Sequence, residues 1–295
     1  MLNSQKISKT GLGTGRLSSL GSSLTQSECN KLINTAYENN ITVLDTADTY
    51  GSGDAERMIG KAISGRQTDF FIITKAGFPY VSLPGWMSPL NQICKKTLQK
   101  INNNKKFSKD YLLKALGKSL KRLNVDEVDA FVLHEPWFSE VSDESWEALN
   151  LIRSKGMARY TGVSTSDSKV IEAGIKSKQV EVVETPVFLL QKKPNELSIS
   201  LICYEHNIPV IANQVLSGLN KLRTEKKDEM STLLERYNLA ENELAKTFIS
   251  YASHTPGVIS TLIGTKNTQH LVENSKIINR DSLTEFFSDI KKINL

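Results

Sequence analysis

Short, nearly continuous apolar runs alternate along the chain with longer stretches in which apolar residues recur every three or four positions. The runs fall at Gly11–Gly15, Ile41–Ala47, Phe70–Lys75, Asp129–His134, Ala158–Ser164, Val180–Pro186, Ile208–Asn213 and Val258–Gly264. Most are rich in Val, Ile or Phe, the pattern of parallel strands covered on both faces; only the glycine-rich first run is weak. The stretches between them read as amphipathic helices. One starts at Thr25, where Thr25-x-x-Glu28 forms a capping box and Leu32, Ile33, Ala36 and Tyr37 share a face. Others are predicted at Ala55–Ile63, Lys109–Leu123, Glu144–Ser154, Ser168–Ile175, Glu196–His206 and Leu244–Ala252.

Eight strands with intervening helices predict an α/β fold of the closed kind, a (β/α)8 TIM barrel occupying residues 1–295 as one domain. An open dinucleotide-binding sheet would carry a glycine fingerprint after its first strand. Here Gly11, Gly13 and Gly15 are followed by Arg16, so the third glycine of that fingerprint is missing. The segment 77–107, with Pro79, Pro84, Trp86 and Pro89, interrupts the alternation after the third strand. Connections of that length in a compact domain are usually substrate loops or lids.

Composition narrows the function classes. Lys and Arg total 37 against 32 for Asp and Glu, a net charge of +5 spread over 295 residues. That excess predicts neither a nucleic-acid nor an anionic-membrane partner. The three cysteines contain no CxxC pair and the four histidines lack metal spacing, so no metal site is expected. No apolar run approaches the ~18 residues of a membrane span. A cytoplasmic protein of a reducing compartment is the expectation.

In a parallel barrel, chemistry sits at the C-terminal ends of the strands. Those ends supply Asp45, Lys75 and His134, with Tyr50 in the loop after Asp45. Taken singly each has an ordinary structural explanation; it is their order on three consecutive strands that points to chemistry. Hydride addition to a carbonyl builds an alkoxide that must be protonated as it forms. A phenol with an ordinary pKa of ~10 is a poor acid at neutral pH, and a nearby ammonium lowers it. On this reading Lys75 acidifies Tyr50, Asp45 keeps Lys75 charged, and His134 orients the carbonyl oxygen. The hydride must come from a cofactor, because no side chain donates one.

The run Leu44-Asp45-Thr46-Ala47-Asp48-Thr49-Tyr50-Gly51, followed by Ala55-Glu56-Arg57-Met58-Ile59-Gly60, resembles the signature of the aldo/keto reductase superfamily. So do Ile73-Thr74-Lys75, Ser119-Leu120-Lys121-Arg122-Leu123 with Leu133-His134 downstream, and Gly162-Val163-Ser164. The resemblance implies a barrel that binds NADP(H), or less often NAD(H), across the strand ends. It implies Tyr50 as proton donor with Asp45, Lys75 and His134 as partners, a small-molecule carbonyl substrate and a monomer.

The cofactor positions implied by the same resemblance are less regular. Gly13 and Thr14 follow the first strand. At the nicotinamide end Ser164 is kept, but Thr165, Glu184 and Asn213 stand where the family usually has Asn, Gln and an aromatic or arginine. An ionised glutamate offers the carboxamide no donor. Leu216, Ser217 and Gly218 resemble the pyrophosphate turn. Gly264, Thr265, Lys266, His270, Glu273 and Asn274 resemble the site for the adenosine 2′-phosphate and adenine, with His270 where many members carry arginine. Phe78, Trp86, Trp137 and Phe138 are candidate walls of a substrate pocket. These residues predict an NADP(H)-dependent reductase. The alternatives are a cofactor-binding or regulatory protein with little turnover, and a dedicated biosynthetic dehydrogenase or epimerase.

Overall fold

The structure is a computed structural model that describes residues 7–18, 23–79, 105–190, 194–279 and 283–293. Eight parallel strands close into a barrel in which each pairs with its sequence neighbours and β1 with β8. They are β1 (Thr10–Gly13), β2 (Val43–Asp45), β3 (Phe71–Ala76), β4 (Val128–His134), β5 (Ala158–Ser164), β6 (Val182–Pro186), β7 (Val210–Asn213) and β8 (Val258–Ile263). Val43, Phe71, Ile73, Ala130, Val132, Val182, Ile211 and Leu262 fill the barrel interior. A larger cluster packs the outward side chains against the helices, so both faces are covered and the strands carry no polar alternation.

The helices are α1 (Gln26–Glu38), α2 (Asp54–Ala62), α3 (Lys109–Leu123), α4 (Asp143–Ser154), α5 (Ser168–Ser177) and α6 (Pro194–Glu205), followed by α7 (Leu219–Glu225), α8 (Lys227–Arg236), α9 (Leu244–Ser253), α10 (Thr268–Asn274) and α11 (Thr284–Ile290). The capping box opens α1, with Glu28 N–H donating to Thr25 Oγ1 at 3.2 Å and Thr25 N–H to Glu28 Oε2 at 2.7 Å. Helices α7, α8, α10 and α11 have no counterpart among the sequence expectations. Met230, Leu233 and Leu234 of α8 pack with Phe248 of α9 and with Phe286 and Phe287 of α11 in a separate cluster.

Close strand contact fixes one position outright. A Cβ on Gly162 would lie 1.8 Å from the Val182 carbonyl oxygen, so β5 approaches β6 only because residue 162 has no side chain. A buried polar tie joins two helices to the sheet. Glu56 of α2 accepts from Thr74 Oγ1 of β3 and from Arg122 Nε of α3, each at 2.6 Å. Glu56→Gln keeps the shape but removes the Glu56 negative charge from beside the Arg122 guanidinium. It is expected to lower unfolding free energy by about 2–3 kcal/mol in urea titrations, and a loss below about 1 kcal/mol would refute that role. No helix among the described residues is long and apolar enough to cross a membrane.

Candidate active site

The chain pins the strand ends before any side chain acts. Asp45 closes β2, and its carbonyl accepts from Thr14 N–H at 2.9 Å and Thr14 Oγ1 at 2.8 Å. Asp48 N–H donates to the Lys75 carbonyl at 3.0 Å, tying the loop after β2 to β3. Tyr50 then enters a tight turn with left-handed residues at Gly51, Ser52 and Gly53. A Cβ on Gly51 would sit 2.0 Å from Ser18 Oγ, so glycine alone fits and the turn aims Tyr50 back over the barrel.

Four side chains meet on this rim. Lys75 is 1% exposed and ion-pairs with Asp45, 3% exposed. Its Nζ also donates to the Thr46 carbonyl at 3.0 Å. The same nitrogen lies 5.3 Å from the centroid of the Tyr50 ring. The Tyr50 and His134 rings meet edge to face at 5.9 Å, and Phe78 closes on the other side of His134 at 4.9 Å. Asp45, Tyr50, Lys75 and His134 therefore form one cluster.

Burial pushes the Tyr50 phenol above the usual tyrosine range. Lys75 pulls it down, as the sequence suggests, but the Asp45 and Glu184 carboxylates oppose that pull. The cation acts in the expected direction and desolvation outweighs it. Asp45 is itself pushed up to about 8, first by burial and then by Glu184, against the pull of Lys75. For Lys75, burial favours the neutral amine, yet Asp45 and Glu184 together hold it charged and raise its pKa.

Glu184, 3% exposed, is the member that sequence reasoning placed differently. Its Oε2 lies 3.2 Å from Lys75 Nζ across the barrel mouth, and its Oε1 accepts from Asn213 Nδ2 at 2.8 Å. It faces the lysine, a partner that only barrel closure reveals. The available signal was an acidic residue inside the apolar run of β6. Beside this pair lies a cavity of about 200 Å³ lined by Trp137, Ser164, Thr165, Pro186, Asn213 and Gln214, among others. Asn213 Oδ1 is buried there with no hydrogen-bond partner. Ser164 stands in register between His134 and Glu184. The Thr165 hydroxyl is committed to the Pro136 carbonyl at 2.9 Å and accepts from Asp167 N–H at 3.1 Å.

The remaining candidates are spread along the rim. Gly13 pairs with Asp45 in the β1–β2 register. Leu216, Ser217 and Gly218 form the turn into α7, where Gly218 is left-handed at φ +82°. Gly264, Thr265 and Lys266 follow β8, and His270, Glu273 and Asn274 lie on α10. The Asn267 side chain caps that helix by accepting from His270 N–H at 3.1 Å. Trp137 and Phe138 are exposed, and Lys105 Nζ lies within 5.5 Å of both the Phe78 and Trp137 rings. Trp86 and residues 80–104 of the long loop lie outside the described residues. Among the described residues no group of three or more His, Cys, Asp or Glu side chains is placed to hold a metal.

The sequence profile of the aldo/keto reductase family matches residues 9–295. The chain belongs to that family. This aldo/keto reductase is an oxidoreductase by family, and it is similar over most of its length to several curated proteins. It is 29% identical to "Uncharacterized oxidoreductase YqkF" of Bacillus subtilis, over 95% of this chain and 90% of the relative. It is 24% identical to a "Probable voltage-gated potassium channel subunit beta" of Arabidopsis thaliana, over 93% of this chain and 90% of that one. The barrel also superposes on an aldo/keto reductase from Klebsiella pneumoniae solved with NADP and acetate, at a TM-score of 0.74 and 19% identity. That match covers 98% of this chain and 93% of the other.

Proposed function

We propose that this aldo/keto reductase is an NADP(H)-dependent enzyme that interconverts an aldehyde, ketone or sugar carbonyl with its alcohol. The observation that carries the reading is the buried Asp45–Lys75 pair set under Tyr50 and His134, linked through Glu184 and Asn213 to the wall of a cavity. The cavity wall suits a nicotinamide carboxamide, because Asn213 Oδ1 is a buried acceptor with no partner and a carboxamide carries an N–H donor. The cofactor supplies the hydride. Tyr50 gives its phenolic proton to the developing alkoxide, and His134 holds the carbonyl oxygen beside it. Ser164 and Asn213 hold the carboxamide, with Thr165 and Glu184 shaping the wall behind them.

Gly13, Thr14, Leu216, Ser217 and Gly218 are assigned to the diphosphate side, and Gly264, Thr265, Lys266, His270, Glu273 and Asn274 to the adenosine end. Lys266 as a point charge favours the 2′-phosphate of NADP(H) over NAD(H), and the Klebsiella relative carries NADP. The ends of the long loop support its assignment to the substrate. Lys106 N–H donates to the Gly77 carbonyl at 2.7 Å, and Phe78 between them packs on His134. Cys29 and Cys203 are buried free thiols, in keeping with a reducing, cytoplasmic compartment, and the family resemblance favours a monomer.

The test is purified protein with NADPH and a panel of aldehydes, ketones and sugars, read as loss of the reduced-nicotinamide absorbance. Turnover of at least one carbonyl class is expected, with NADPH favoured over NADH. Tight NADPH binding with no transfer to any carbonyl would overturn catalysis in favour of a cofactor-binding role. The committed Thr165 hydroxyl is the observation that gives that second reading its place.

A further inference from the structure

Lys75 is a buried cation with two carboxylates on it. Asp45 reaches it from β2 and Glu184 from β6, on opposite sides of the barrel mouth. One ammonium balances one carboxylate, so ionising both leaves a net negative charge in an apolar interior, where charges without a partner are costly. Two ionised carboxylates crowded on one ammonium repel each other, and a single proton held by the pair removes that excess charge. The upward push on the Asp45 carboxyl, to about 8, agrees with this arrangement.

Glu184 has a second contact that gives the cluster direction. Its Oε1 takes Asn213 Nδ2, which turns Asn213 so that its Oδ1 faces away from the carboxylate. Asn213 lines the cavity assigned above to the nicotinamide. The charged chain thus runs from Tyr50 through Lys75 and Glu184 to the wall of that cavity.

We propose that Glu184 makes the Asp45–Lys75 pair a proton store tied to the charge of the nicotinamide, the two carboxylates sharing one proton while the ring is neutral and releasing it when the ring is cationic. The proposal rests on the functional reading above. In carbonyl reduction a C–H bond breaks on the reduced cofactor and one forms on the carbonyl carbon. The carbonyl electron pair moves to oxygen, which takes the Tyr50 proton. Tyr50 recovers a proton from Lys75 Nζ, and Lys75 recovers one from the carboxyl shared by Asp45 and Glu184. The store goes from neutral to −1 as the ring goes from neutral to +1, so charge balances without a proton entering from solvent.

The titratable groups facing the store are Tyr50 from the turn after β2, Lys75 from β3 and His134 from β4. Ser164 from β5 and Asn213 from β7 are neutral. Asp48, in the loop after β2, also acts on Tyr111, Glu56 is held by Thr74 and Arg122, and Lys105 and Glu135 line the outer rim of the cavity.

The test is calorimetric binding of NADP+ and of NADPH to the intact enzyme near neutral pH, in buffers of different ionisation enthalpy. Phosphate ionisation is common to both forms and cancels in the comparison. NADP+ is expected to expel a sizeable fraction of a proton more than NADPH does. Its affinity relative to NADPH should rise by roughly tenfold between about pH 6 and about pH 9. Glu184→Gln, with its fold checked by circular dichroism, should remove most of that difference. Equal proton release by the two forms in the unaltered enzyme would overturn the proposal without any variant, as would a full difference surviving in Glu184→Gln. Failure of both forms to bind would overturn the functional reading and this inference with it.

Discussion

Tyr50→Phe is expected to lower the rate of hydride transfer from NADPH by about 10²- to 10⁴-fold, with cofactor affinity nearly unchanged. The substitution removes one hydroxyl and keeps the ring against His134 and over Lys75, so the rim keeps its packing. What is lost is the proton that meets the alkoxide, and His134 alone must then stabilise the developing charge. Because burial holds the Tyr50 phenol above the ordinary tyrosine value, the acid form persists throughout the neutral range. Reduction by the unaltered enzyme should therefore not fall between about pH 6 and about pH 9 through ionisation of Tyr50. Stopped-flow fluorescence of bound NADPH separates the transfer step from binding. Transfer undiminished in Tyr50→Phe would remove this residue as the acid.

The strand ends were legible because a parallel barrel delivers every strand's C-terminus to one face, so Asp45, Lys75 and His134 needed only the strand pattern to be brought together. The short helices were not. In α8 the segment Lys227–Arg236 is mostly charged or polar, and Met230, Leu233 and Leu234 make too narrow a stripe to stand out. It is helical because Phe248, Phe286 and Phe287 cover that stripe, a tertiary cause that periodicity in one segment does not show. Glu184 illustrates a different limit. Its residue type suggested a poor carboxamide ligand, but its contact with Lys75 exists only once β3 and β6 face each other across a closed barrel. The ionisation of Tyr50 followed the same logic. The sequence supplied the nearby cation, while the weight of burial and of the second carboxylate depends on where the chain places them.

Lys75→Met is expected to cost about 3–5 kcal/mol of unfolding free energy at neutral pH, and more at higher pH. Methionine fills nearly the volume of the lysine stem, so packing around β3 changes little. The losses are the ion pair with Asp45, the hydrogen bond to the Thr46 carbonyl and the contact with Glu184. The raised pKa of Lys75 means its contribution is fully present below the ordinary lysine value and lost only as pH rises through the folded one, so it is intact across the neutral range. Asp45 sets the direction of the pH effect. Between its ordinary 3.8 and about 8 the folded chain keeps a proton that the unfolded chain has released, so stability already declines as pH rises through that window. Removing Lys75 takes away the positive charge that eases this ionisation, and two buried carboxylates then oppose each other unaided. The deficit of the variant should accordingly be larger at about pH 8 than at about pH 5, as read from urea titrations at both values. An equal deficit at the two pH values would mean that Asp45 and Glu184 do not sense the charge on Lys75, and the electrostatic account of the rim would fail.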